Sequence, residues 1–71
     1  MEPIKYKVGD VLHLEGSGFA TIIGTYHVSI YRREYEMIMD RQIITASVES
    51  FDREARVRKV THSKLVEVLY A

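Results

Sequence analysis

The sequence predicts a small, mainly β, strongly bent antiparallel domain, and three observations lead there. From Phe19 to Tyr31 the chain alternates with period two. Ala20, Ile22, Gly24, Tyr26, Val28 and Ile30 fall on one face, and Thr21, Ile23, Thr25, His27, Ser29 and Tyr31 on the other. Successive strand side chains point to opposite sides of a sheet, so the first set is written for a core and the second largely for solvent. A helix would need apolar residues every three to four positions, which this run does not supply. Turn-forming or polar breaks recur at Gly9-Asp10, Gly16-Ser17-Gly18 and Asp40-Arg41, as they do between short strands. Finally, 71 residues without a cysteine leave one thin hydrophobic core as the source of stability.

Taken in order, residues 1–7 form a lead-in kept extended by Pro3, and Gly9-Asp10 turns the chain into a first strand over Val11–Glu15. Gly16-Ser17-Gly18 makes a tight or bulged reversal cheap. Strand two is the alternating run, long for a small sheet, with Gly24 marking a kink or bulge. Arg32-Arg33 breaks the alternation and is expected at a loop tip. Strand three, Glu34–Met39, puts Tyr35, Met37 and Met39 on one face and Glu34, Glu36 and Ile38 on the other. After Asp40-Arg41 comes strand four, Gln42–Val48, with Ile44, Ala46 and Val48 inward.

The pattern then turns helical near residues 48–55. Ser47 or Ser50 serves as a cap, Glu49, Asp52 and Glu54 lie early, and Val48, Phe51 and Ala55 have helical spacing. Arg56–Val60 and Lys64–Tyr70 read as β-prone, either a hairpin or an edge wrap, separated by Thr61-His62-Ser63. No repeat or linker divides the chain, so residues 1–71 are read as a single domain. The predicted core is Leu12, Leu14, Ile22, Val28, Ile30, Met37, Ile44, Val48 and Phe51.

Lys7-Val8-Gly9-Asp10, leading into a strand, a Gly-rich turn, a long bent strand and a late helical turn, resembles the opening and element order of small SH3-like β-barrel modules. KOW-type and Tudor-type domains and small phage or mobile-element proteins are of this kind. The resemblance implies a partly open antiparallel barrel that binds peptides, proteins or nucleic acids rather than catalysing a reaction. It carries over no functional residue, and the chain departs from the peptide-binding SH3 pattern in having no tryptophan.

Composition narrows the function classes. Ten acidic and ten basic side chains cancel, so no global field steers the protein onto nucleic acid or an acidic membrane. No apolar run approaches the roughly 20 residues that span a bilayer, and residues 1–10 hold no signal-peptide core. The absence of cysteine removes disulfides and thiolate zinc sites. The chain is therefore expected to be cytoplasmic, with no membrane partner. His13, His27 and His62 are far apart in sequence, which argues against a metal site. The serines show no nucleophile elbow, and Gly16-Ser17-Gly18 is no phosphate loop. Glu34 and Glu36, on one exposed face, read as solubilising. No catalytic residue, cofactor, metal or small-molecule substrate is expected.

Two binding surfaces remain. Phe19, Ile23, Tyr31 and Ile38 fall on the nominal outer faces of strands two and three, where apolar and tyrosine side chains suit a protein interface. These residues point to a small accessory or regulatory protein that binds a protein partner or a second copy of itself. The alternative is nucleic-acid binding through Arg53, Arg56, Arg58, Lys59 and Lys64. In that reading Arg32, Arg33 and Arg41 add charge at loops, and Tyr31, Tyr35 or Tyr70 stack on bases.

Overall fold

A computed structural model describes residues 2–16 and 18–71; Met1 and Ser17, the middle of the predicted glycine turn, lie outside the described residues. The elements are β1 (Asp10–Leu14), β2 (Gly18–Ser29), β3 (Arg32–Met39), β4 (Gln42–Ser47), α1 (Val48–Glu54), β5 (Val57–His62) and α2 (Lys64–Tyr70). The strands form one antiparallel sheet in the order β4-β3-β2-β1-β5. β4 and β5 are edges and do not pair with each other, so the fold is mainly β and partly open.

A bulge in β2 decides which side chains reach the core. Ile22 pairs with Met37 and Gly24 with Glu36, leaving Ile23 as an extra residue opposite the single Met37. An inserted residue shifts every later side chain to the other face. Before the bulge Ala20 and Ile22 point inward; after it Thr25, opposite buried Tyr35, takes the inward parity and is half-buried, and residues 26–29 are exposed. This corrects the simple alternation from residue 23 onward: Tyr26, expected on the core face, is 50% exposed, and three further residues change place. Ile23, expected outside, is 3% exposed. Val28 and Ile30, expected in the core, are exposed: Val28 sits at a second slip in register between His27 and Ser29, and Ile30 lies in the hairpin tip. Arg32-Arg33 is not that tip. The reversal occurs at Ile30-Tyr31, and both arginines belong to β3, with Arg33 buried. Ile30→Ala is accordingly expected to change stability by less than ~0.5 kcal/mol in urea unfolding, as exposed positions usually do.

Gly24 has a steric role. A Cβ there would meet the Tyr26 ring at 2.6 Å, because that ring lies back over the glycine and its hydroxyl donates to Glu36 Oε1 at 3.2 Å.

The core consists of Tyr6, Leu12, Ala20, Ile22, Tyr35, Met37 and Val48, with Ile4, Leu14, Met39, Ile44, Ala46, Phe51 and Val57 packed against it. Of the predicted core, Leu12, Ile22, Met37 and Val48 are buried and Leu14, Ile44 and Phe51 are half-buried. The lead-in is more than an approach, since Tyr6 sits 6.0 Å from the Tyr35 ring and 6.2 Å from Phe51. α1 forms where the sequence placed it, and Ser47 is its cap, accepting from the Ser50 amide at 3.4 Å.

The last segment is corrected. Lys64–Tyr70 is a helix, because Ser63 caps it by accepting from the Val66 amide at 3.2 Å. The N-cap contributes about 1 kcal/mol to the helix and, together with the contacts that hold it to the body, offsets the strand preference of Val66, Val68 and Tyr70.

Candidate functional site

Strand pairing aligns one residue from each strand across the outer face: Thr61, Val11, Thr21, Ile38 and Ile43, each opposite the next. These positions have the parity opposite to buried Leu12 and Met37, so they face away from the core. Phe19 shares this face two residues from Thr21. It stacks edge-on against its cross-strand partner His13, with ring centroids 4.8 Å apart. Val11 and Ile38 are half-buried, whereas Phe19 is 58% and Ile43 63% exposed.

Of the four residues predicted for an interaction face, the structure brings Phe19 and Ile38 together. Ile23, the extra residue of the bulge, is buried although it is not one of the core cluster, and Tyr31, 84% exposed, stands apart at the hairpin tip beside Ile30. Val11 and Ile43 were missed. Their signal was the register itself, because an outer Ile43 opposite Ile38 follows once Met37 is paired with Ile44.

The predicted basic residues are spread out. Arg53 is paired with Glu54 at 3.4 Å and Lys64 with Glu67 at 3.4 Å. Among the described residues Arg56, Arg58 and Lys59 make no ion pair. Arg58 and Lys59 point to opposite sides of edge strand β5, and Lys59 lies opposite His13, extending the His13–Phe19 row. Arg32 pairs with Glu34 at 2.8 Å. Tyr35 is fully buried and so cannot stack on a base.

Buried Arg33 donates through both Nε and Nη2 to Glu49 Oε1 at 2.7 Å, and this guanidinium holds the Glu49 carboxyl below its ordinary range. The pair lines a groove of about 1010 Å³ together with Glu2, Pro3, Ile4, Lys5, Asp52 and Arg53. Its acidic and basic groups are equal in number, so it has no net field for a charged ligand and chiefly fixes α1 to β3. Nearby, Tyr35 donates to Asp52 Oδ1 at 2.7 Å and accepts from the Tyr6 amide at 3.2 Å. Burial first, then the Asp52 bond, pushes the Tyr35 hydroxyl far above the usual phenol range.

Each end of the His62 ring is occupied: Nδ1 lies 2.9 Å from Asp10 Oδ1 and Nε2 2.5 Å from Glu67 Oε2. His13 Nε2 lies 3.2 Å from the Thr61 hydroxyl. Among the described residues no group of three or more His, Asp or Glu side chains is disposed to hold a metal ion, and no helix is long and apolar enough to cross a membrane. Compared with known protein families, curated proteins and solved structures, the chain matches none.

Proposed function

We propose that the chain is a non-catalytic interaction module of the small SH3-like kind, a cytoplasmic accessory or regulatory protein that docks a protein partner on the outer face of its sheet. The observation carrying this reading is the row Val11, Thr21, Ile38 and Ile43 with Phe19 beside it, an apolar strip crossing β1 to β4 on the solvent side. Contiguous apolar surface on a protein marks an interaction site, and an aromatic residue at its margin suits an anchor. The meander order with β5 returning beside β1 supports the SH3-like reading. Structural partners on both nitrogens of His62 support a non-catalytic one.

A second reading, nucleic-acid binding, is favoured by Arg56, Arg58 and Lys59, which make no ion pair among the described residues, and by the Lys59–His13–Phe19 row, since bases stack on aromatic faces beside cations. The two separate in one pull-down from host lysate, with and without nuclease, using wild type, Ile43→Asp and the triple variant Arg56→Ala/Arg58→Ala/Lys59→Ala. The docking reading expects one protein to be captured by wild type and the triple variant, independently of nuclease, and lost with Ile43→Asp. Nuclease-sensitive capture lost only in the triple variant would establish the second reading instead, and capture unaffected by either variant would overturn both.

A further inference from the structure

α2 is held to the body in an unusual way. Its solvent side carries Leu65, Val68 and Leu69, all exposed, while the side toward the sheet offers Val66, Glu67 and the Ser63 cap. The helix packs on β2, yet Val66 is its only half-buried apolar side chain. Seven residues make too short a helix to persist alone in water. With so little apolar burial, polar anchors decide whether α2 stays folded and docked. One is the Ser63 amide, which donates to the Gly9 carbonyl at 2.8 Å. The other is the imidazole of His62 between Asp10 of β1 and Glu67 of α2.

Two carboxylates facing both ring nitrogens define a proton requirement. Ionised carboxylates only accept hydrogen bonds, so both contacts are made only when both nitrogens carry a proton. A neutral imidazole keeps one donor and turns a lone pair toward the other carboxylate. We propose that His62 is a proton-dependent clasp: as imidazolium it fastens α2 to β1, and on losing its proton it releases the helix from the sheet.

The charged groups facing the ring are Asp10 from β1, Lys7 from the segment before it and Glu67 from α2, which is itself paired with Lys64. The Glu67 bond, then the Asp10 bond, raise the His62 pKa above its ordinary value; partial burial and Lys7 oppose them. A raised histidine contributes its stabilisation fully below the ordinary value of about 6.5 and loses it as pH climbs through the raised one. On the acid side Glu67, lowered by His62 and then Lys64, keeps its charge to a lower pH than an ordinary carboxylate. The clasp is thus closed below the ordinary histidine range and opens as pH rises through the raised His62 pKa.

The test is NMR of the full chain. At about pH 6, where an ordinary histidine is largely protonated, the Cα shifts of Leu65–Tyr70 should be helical. At about pH 9, well above the ordinary histidine range, they should move most of the way to coil, with a midpoint matching the His62 ring titration and with β1–β3 unchanged. His62→Gln should show a loosened α2 at both pH values. Helical α2 shifts at both pH values in wild type would overturn the proposal, as would an unaltered pH response in His62→Gln. Neither readout depends on the docking face, so the clasp and the proposed function fail separately.

Discussion

Truncating Tyr35 to Ala is expected to leave the domain unfolded or barely stable at room temperature. The side chain is fully buried in the core, with its ring 6.0 Å from Tyr6 and 5.6 Å from Phe51. Removing a buried aromatic ring costs about 3–5 kcal/mol, while a domain of this length holds only about 4–10 kcal/mol in total. Tyr35 also joins three segments distant in sequence: β3, the lead-in through the Tyr6 amide, and α1 through Asp52. Tyr35→Phe isolates that role. It keeps the ring but strands a buried amide, at about 1–3 kcal/mol. Urea unfolding of both variants measures the two contributions. A Phe variant as stable as wild type would show that the hydroxyl network does not tie these segments together.

Why Tyr35 matters so much was only half legible in the sequence. The period-two pattern of β3 put Tyr35, Met37 and Met39 on one face, and the structure buries Tyr35 and Met37 there with Met39 packed against them. In β2 the same pattern misled beyond residue 22. Gly24 signalled an irregularity, but the inserted residue is Ile23, and an inserted isoleucine has no compositional mark. The bulge at Ile23, a second slip at Val28 and a hairpin tip at Ile30 together undid the simple alternation. α2 was hidden for another reason. Valines and a tyrosine favour strand on their own, and the serine cap together with anchors to distant Gly9 and, through His62 and Glu67, to Asp10 reversed the outcome.

The clasp was the least legible feature, because Asp10 and His62 are 52 residues apart in the chain and meet only through the pairing of β1 with β5. Read one at a time, each histidine was an isolated polar residue on a strand or loop. The outer row suffered similarly. Phe19 and Ile38 could be assigned to exposed parity, but their neighbours Val11 and Ile43 needed the register of four strands. Periodicity reports faces, whereas sites are made by the pairing of distant elements.

Gly9→Ala is expected to cost about 2–5 kcal/mol, the sum of a left-handed backbone penalty of about 1–2 and an overpacking penalty of about 1–3. Gly9 has φ +99°, and a Cβ built there lies 2.6 Å from His62 Cε1, 3.0 Å from the Ser63 carbonyl oxygen and 3.1 Å from Glu67 Cβ. The backbone cannot swing aside cheaply. The Gly9 amide donates to the Ile22 carbonyl at 2.9 Å, and its own carbonyl accepts from Ser63 at 2.8 Å. The methyl therefore displaces the imidazole from between Asp10 and Glu67, undoing the anchor of α2. A double-mutant cycle with His62→Ala separates the two penalties, because contacting residues show non-additive effects. If the methyl acts by displacing His62, Gly9→Ala should cost clearly less in the His62→Ala background, where only the backbone penalty and the Ser63 contact remain. Equal costs in both backgrounds would mean that the close approach at His62 does not make glycine necessary at position 9.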